Sequence, residues 1–270
     1  MHSQSTVAQV LALRESDLGA RRIAKRTDLP LGTVKDWLAG RVPTHSRSCD
    51  MGGPPEPVCE QCGHACHNVS QLPPEYVYLL GLYLGDGTIS KHHRGVFRLR
   101  VFLDLRYPQI IDDCAAAMNF VAVKSKVHRL NRTGSFKRTS ERSVSNEPSH
   151  VEVSSFSKIW PCLFPQCGPG KKHEREIVLT DWQAELVGRY PEQLLRGLIH
   201  SDGCRFQNTG RGGWSWPRYS FSNKSDDIRG IFCYACGQIG VHWTAAGHKT
   251  IYVSRKADVA RLDEFIGPKC

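Results

Sequence analysis

Apolar residues recur at helical spacing in three short runs near the start of the chain: Val7, Val10, Leu11 and Leu13, then Ala20, Ile23 and Ala24, then Val34, Trp37 and Leu38. They predict three small helices, the last closed by Gly40 and joined to the second by the tight link TDLPLGT. From Pro43 to Pro57 the pattern gives way to Pro, Gly and Ser, which marks a linker. A second kind of pattern then begins, and it occurs twice. PEYVYLLGLYLGDG and PEQLLRGLIHSDG are each an apolar helix ending in Asp-Gly, followed by the strand-like runs VFRLRVFLDL and RYSFSNKS. Helices around PQIIDDCAAAMNFV and DDIRGIFCYACGQIGV come next, then the strands HVEVSS and KTIYVSR and a short helical stretch. The expected fold class is α+β, with two pseudo-symmetric αββαββα halves after a small helical domain. The expected divisions are 1–42, a linker at 43–73, a first half at 74–193 and a second at 194–270, the halves differing mainly in an insertion between residues 124 and 148.

The two apolar helices raise a physical problem. Glycine costs roughly 1 kcal/mol relative to alanine in a helix interior, yet Gly81 and Gly85 stand four apart on one face of the first helix. Gly197 and Ser201 repeat that spacing in the second. Small residues let another backbone approach, so the two faces are expected to pack on each other and bring the helix C-termini together. Asp86 and Asp202 sit at those termini, each followed by a glycine, Gly87 or Gly203. A carboxylate there faces the negative end of the helix dipole and unpaired carbonyls. A divalent cation between the two acids reverses the repulsion, and all-oxygen ligation suits Mg²⁺. Such a site points to metal-assisted phosphodiester cleavage.

LLGLYLGDG (79–87) and LRGLIHSDG (195–203) resemble the two LAGLIDADG motifs of single-chain homing endonucleases, and the resemblance extends over roughly residues 74–266. It implies that the motif helices form the interface between the halves and that Asp86 and Asp202 bind the catalytic Mg²⁺, helped by the carbonyls of Gly85 and Ser201. It also implies a curved β-sheet from each half along the DNA major groove, and a basic residue near the metal. Lys249 is the first choice for that residue and Lys224 the second; Ser222 and Asn223, on the same strand, are placed to read bases or waters. The sixth motif position, usually acidic, is Leu84 and His200 here. A branch of bacterial regulators pairs a LAGLIDADG-like domain with a helix-turn-helix. Those regulators carry it after that domain and have lost motif acids, whereas this chain has the opposite order and keeps both.

Charge adds a partner. A net charge of +10 and a pI near 9.1 favour an anionic ligand, most simply nucleic acid. Residues 123–142 hold seven Lys or Arg (Lys124, Lys126, Arg129, Arg132, Lys137, Arg138 and Arg142) against Glu141 alone, and with RTGSF as a turn they predict a hairpin along a duplex. Arg98 and Arg100 alternate with apolar neighbours, which places them on the exposed face of a strand; Arg211 and Arg218 flank the two tryptophans of TGRGGWSWPRY. The N-terminal helices resemble a DNA-binding helix-turn-helix, with Thr33, Lys35, Asp36 and Arg41 free to face DNA.

Eleven cysteines without a secretory signal suggest metal binding or buried thiols rather than disulfides. Cys59 and Cys62 form a C-x-x-C followed by glycine, as in zinc knuckles. The other ligands of a structural Zn²⁺ would come from Cys66, His67, His64, Cys49 and His45, with Cys66 and His67 the working choice. Cys233 and Cys236 fall inside a helix and are expected to be core thiols. No run reaches the ~20 apolar residues of a membrane span. The expectation is a monomeric, cytoplasmic, nucleoid-associated protein that binds double-stranded DNA. Its leading function is sequence-specific, Mg²⁺-dependent DNA cleavage to a double-strand break, and its rival is a transcription regulator that keeps the fold and binds without cutting. An RNA-binding maturase activity has no residue of its own to support it.

Overall fold

The computed structural model describes residues 4–15, 18–41, 59, 62, 67–122, 125–133, 148–210, 212–267 and 269. The chain divides into two compact units, 1–56 and 57–270. The first holds α1 (Gln4–Glu15), α2 (Ala20–Thr27) and α3 (Leu31–Leu38), packed around Val10, Ile23, Leu29, Val34 and Trp37. Asp28 ends α2 in the left-handed conformation, with φ at 54°, and the Leu29 N–H then donates to the Ala24 carbonyl at 3.1 Å. Pro30 cannot continue a helix through its missing N–H and instead opens α3. Gly40, with φ at 78°, closes α3 and lets Arg41 N–H reach the Asp36 carbonyl at 2.8 Å.

The second unit contains the duplication. The first half runs α4 (Pro74–Asp86), β1 (Gly87–Lys91), β2 (Phe97–Asp104), α5 (Pro108–Val121), β3 (Val127–Thr133), β4 (Pro148–Ser157) and α6 (Trp160–Leu163). After α7 (Asp181–Arg189), the second half runs α8 (Pro191–Asp202), β5 (Gly203–Thr209), β6 (Ser215–Ser222), α9 (Asp226–Gln238), β7 (Thr244–Ala246), β8 (Thr250–Val253) and α10 (Lys256–Asp263). Both sheets are four-stranded and antiparallel, in the orders β1-β2-β4-β3 and β5-β6-β8-β7. The fold is therefore α+β with two matching halves. Their registers match too: Gly87 pairs with Val101 in one half and Gly203 with Phe221 in the other. α7, an element outside the duplication, is started by a capping box in which Thr180 and Gln183 satisfy each other's backbone N–H.

Alternation sets the faces. Leu99, Val101 and Leu103 of β2, Val151 and Val153 of β4, and Tyr219 and Phe221 of β6 are buried against the helices. The intervening residues form the opposite sheet face, which no helix among the described residues covers. Cys236 is buried in α9 and Cys233 half-buried beside it, as expected for core thiols.

α4 and α8 cross at the centre of the unit through their small residues, which is why two apolar helices can carry glycines in their interiors. A Cβ on Gly81 would stand 2.6 Å from the Leu194 carbonyl and 2.9 Å from Gly197 Cα, and one on Gly197 would meet the Tyr78 carbonyl and Gly81 Cα. A Cβ on Gly85 would collide with the Ser201 side chain. His200, standing where the resemblance expects an acid, spans this interface. Its ring contacts Ile266 O at 2.6 Å through Nε2 and Tyr78 Oη at 2.9 Å through Nδ1. A carbonyl only accepts, so Nε2 carries the proton and Tyr78 donates to Nδ1. Burial holds the His200 pKa down to about 4, which keeps the ring neutral in that tautomer.

Candidate active site and nucleic-acid interface

The helix crossing delivers Asp86 and Asp202 to one end of the α4/α8 pair. Asp202 reaches across the interface: a Cβ on Gly85 would lie 3.2 Å from Asp202 Oδ2. Asn223, just past β6, donates from Nδ2 to that same oxygen at 2.6 Å. Asn223 is itself fixed, because its Oδ1 accepts from Ser225 N–H at 2.8 Å and its N–H donates to the Lys249 carbonyl at 2.9 Å. The matching register position in the first half is Leu103, a core residue. Among the described residues no side-chain amide stands on Asp86 in this way.

Two lysines that neither composition nor spacing had singled out complete the site. Lys172, in the loop between α6 and α7, donates from Nζ to the carbonyls of Tyr83, Gly85 (2.8 Å) and Gly87 (2.9 Å) at the end of α4. Lys269, after α10, donates to the carbonyls of Ile199 (3.0 Å), His200 (2.7 Å) and Ser201 (2.6 Å) at the end of α8. Each ammonium group thus spends its three protons on the negative end of one helix dipole. The carbonyls of Gly85 and Ser201, expected as magnesium ligands, accept from these lysines here. A cation ligated at those oxygens competes with Nζ.

Burial dominates the electrostatics. It raises the Asp86 pKa to about 6, with the Asp202 carboxylate adding to the rise and Lys269 and Lys172 opposing it. Burial also raises Asp202, against the Asn223 hydrogen bond and the two lysines. Lys172 is lowered to about 8, and Lys269 is lowered too, again chiefly by burial. Two acids are pushed up and two bases pushed down, and Asp86 at about 6 and Lys172 at about 8 bracket neutral pH.

The two acids are close enough for the Asp202 charge to raise Asp86, yet they line different cavities. Asp202 lines a cavity of about 510 Å³ with Lys172, Asn223 and Lys224, whereas Asp86 lines one of about 310 Å³ with Lys269, Asp104 and Arg106. Each cavity joins the acid of one half to the lysine of the other. The two are unequal: Asp104 in the smaller is gripped by Arg106 (Nη2–Oδ2 2.6 Å), at the register position that Lys224 holds in the larger. Lys249, the first choice for the basic residue, is exposed in the turn before β8 and lines neither cavity; only its carbonyl touches the site, through Asn223. The signal that would have found the lysines was present. CGPGKK and IGPK end the two halves at matching places in the duplication.

The sheet faces opposite the helices carry Arg98, Arg100, Arg132 and Arg218 of the expected DNA contacts that fall in the described residues. Arg98 and Arg132 stand on the first sheet and share Glu152, a carboxylate only 1% exposed, at 2.5 and 2.7 Å. Arg100 stands between strands on the same face. On the second sheet the Arg218 guanidinium lies 4.9 Å over the Tyr252 ring, beside the exposed Trp216 and Ser222. Arg129 is a correction: it lies on the helix side of β3 and pairs with Asp112 of α5 at 2.6 Å, because Val127, two residues before, faces the core. Lys126 is exposed just before β3. Lys124, Lys137, Arg138, Arg142 and Arg211 lie outside the described residues. In the N-terminal unit Lys35 is exposed, Thr33 half-buried, and Arg41 turns back to Asp36 at 3.7 Å.

No protein-family model matches the chain, and no curated protein does. Solved structures to which it is similar include the N-terminal LAGLIDADG domain of DUF199/WhiA, 11% identical with a TM-score of 0.42 over 75% of this chain and 87% of that one. Another is I-DmoI in complex with DNA and Mn, 14% identical with a TM-score of 0.44 over 75% of this chain and all (100%) of that one. A third is the homing endonuclease I-WcaI bound to its DNA recognition sequence, 12% identical with a TM-score of 0.45 over 73% and 82%. No helix among the described residues is long and apolar enough to cross a membrane.

A second cluster lies at the edge of the first half. Cys59, Cys62 and His67 meet Cys162 of α6, with all four ligand atoms within 4.8 Å of one another. Three of the four expected ligands are in the cluster, and Cys162, which the sequence had not suggested, stands with them. Cys66, His64, Cys49 and His45 lie outside the described residues.

Proposed function

We propose that the chain is a sequence-specific DNA endonuclease of the LAGLIDADG homing type, cutting both strands of a duplex with Mg²⁺. One observation carries the reading: two crossing helices end in half-buried carboxylates, each of which lines a cavity opposite a half-buried lysine of the other half. A double-strand break requires two phosphodiester cleavages, and two composite sites supply one for each strand.

The donor set fits a hard divalent cation. Asp86 and Asp202 offer carboxylate oxygen, Gly85 and Ser201 offer carbonyl oxygen, and the half-buried, mutually repelling acids lack a counter-charge that the lysines, engaged by carbonyls, supply only in part. A Mg²⁺ held by these oxygens would supply charge neutralisation at the scissile phosphate and a more acidic water. The protein's own residues do the rest. Asn223 orients the Asp202 carboxylate through its 2.6 Å hydrogen bond. Lys172, lowered to about 8, would hold or give up a proton beside the phosphate once a cation at the Gly85 carbonyl takes the place of its hydrogen bond there. The uncovered sheet faces present Arg100, Arg132 and Arg218 to the backbone and the N-terminal helices add contacts through Lys35 and Thr33, so the partner is double-stranded DNA.

The reading is tested by incubating the protein with a library of duplexes randomised over about two helical turns, with Mg²⁺ or Ca²⁺, and sequencing the ends. Staggered ends at one recurring site, made with Mg²⁺ only, are expected. Duplexes retained but uncut at every divalent concentration give the chain to the rival reading, a regulator that binds without cutting.

Two further outcomes are expected. Lys172→Met and Lys269→Met each slow cleavage of a different strand by about 10²-fold, so that nicked circles accumulate on a plasmid carrying the site. Equal slowing of both strands in each variant would refute the pairing of one lysine with one cavity. Binding weakens steeply with salt, and Arg100→Ala and Arg218→Ala each reduce the slope of log affinity against log salt by about one. An unchanged slope takes these residues off the interface.

A further inference from the structure

The four-residue cluster at the edge of the first half is independent of the acids at the helix ends. Tetrahedral zinc binds thiolate at about 2.3 Å and imidazole at about 2.0–2.1 Å, so two ligand sulfurs stand about 3.8 Å apart and a sulfur about 3.5 Å from the ring nitrogen, each within a few tenths of an ångström of what is seen in this cluster. Here Cys59 Sγ and Cys162 Sγ are 3.6 Å apart, and Cys62 Sγ and His67 Nε2 are 3.2 Å apart. A disulfide would need sulfurs at about 2.05 Å, so Cys59 and Cys162 are not bonded. Four donors within 4.8 Å of one another leave room for one ion and not for an iron–sulfur cluster, whose thiolates surround several metals. Three soft sulfurs and one imidazole exclude magnesium and select zinc.

The ligands also come from a rigid frame. Cys162 lies in α6, a single turn pinned on both sides. Trp160 donates from its indole to the Ser155 carbonyl at 3.1 Å, and Tyr76 of α4 donates from its hydroxyl to the Leu163 carbonyl at 2.6 Å. Phe164 packs against Tyr76 and Tyr83 with ring centroids 5.6 and 4.8 Å away. A metal held by Cys162 therefore ties the segment of Cys59, Cys62 and His67 to the turn that braces α4, the helix ending in Asp86.

We propose that Cys59, Cys62, His67 and Cys162 bind one structural Zn²⁺, which clips the segment entering the first half onto α6. With four protein ligands the ion has no open position, so it acts on folding and takes no part in cleavage.

The test is metal content. Full-length protein purified from zinc-supplemented medium and dialysed against a weak chelator is expected to retain one zinc per chain by mass spectrometry. Cys59→Ser, Cys62→Ser and Cys162→Ser lose it; Cys66→Ser and Cys204→Ser keep it. Should the serine variants fail to fold, Co²⁺ loading decides. The wild type gives tetrahedral d–d bands, and Cys162→His keeps them while thiolate charge-transfer intensity falls to about two thirds. Zinc-free wild-type protein overturns the proposal, as does loss of zinc from Cys66→Ser with retention in Cys162→Ser. Neither result depends on whether DNA is cut.

Discussion

Gly197→Ala destabilises the second unit by about 3–5 kcal/mol, although the same substitution in an ordinary helix interior stabilises by up to about 1 kcal/mol. The sign is reversed by one methyl group. At Gly197 it meets the Tyr78 carbonyl and Gly81 Cα, all backbone, so no side chain can rotate away. The helices must separate, and separation opens voids along Leu79, Leu82, Leu194 and Leu198, which are buried completely. Gly81→Ala acts the same way through Leu194 O and Leu198 N, whereas Gly237→Ala, with nothing within 4 Å of the new methyl, is neutral or stabilising. For a unit of this size 3–5 kcal/mol corresponds to about 10 °C in Tm. Urea and thermal unfolding of the three variants measure the effect. A Gly197→Ala protein as stable as Gly237→Ala would mean that the helices do not cross through these residues. Because α4 and α8 also carry Asp86 and Asp202 at their ends, Gly197→Ala is further expected to lose cleavage at temperatures where it remains folded.

The parts of this design that repeat were legible in the sequence. A helix that tolerates Gly81 and Gly85 and ends in Asp86, copied with Gly197, Ser201 and Asp202, has few physical explanations, and the strand registers of the two halves match as the duplication requires. What was missed depends on long-range closure. Cys162 stands about a hundred positions from Cys62, so no local spacing links it to the C-x-x-C. Lys172 and Lys269 sit in loops, where neither period 2 nor period 3.6 says which way a side chain turns; the repeated GPGKK and GPK runs mark them, and the helix ends show what they hold. Arg129 was misplaced for a simpler reason. The hairpin was read as uniformly solvent-facing, while alternation from Val127 puts residue 129 on the helix side. His200 replaces an acid and yet is no vacancy in the site, since its two ring nitrogens close hydrogen bonds within the interface.

Asp86→Asn is expected to abolish cleavage while making the metal-free protein more stable at neutral pH. Removing the carboxylate forfeits several kcal/mol of charge complementarity in the transition state, a loss of about 10³-fold or more in rate. Asp202→Asn acts likewise on the other cavity. The stability change follows from linkage. The Asp86 pKa is raised by burial from 3.8 to about 6, so between those values the native protein holds a proton that the unfolded chain has released. Stability therefore falls as pH rises through that window, and above about pH 6 the buried charge costs on the order of 2–3 kcal/mol. Asparagine carries no such charge. In the absence of divalent ions, Asp86→Asn should melt several degrees above the wild type at pH 7.5 and together with it below about pH 4. Added Mg²⁺ should raise the wild-type Tm and leave Asp86→Asn nearly unchanged, because an ion that binds the native state alone stabilises by mass action. The same carboxylate must be ionised to receive a cation, so cleavage should decline as pH falls through about 6 rather than about 4. A variant that melts below the wild type at pH 7.5, or that gains as much from Mg²⁺, would show that Asp86 is held there for packing and not for a cation.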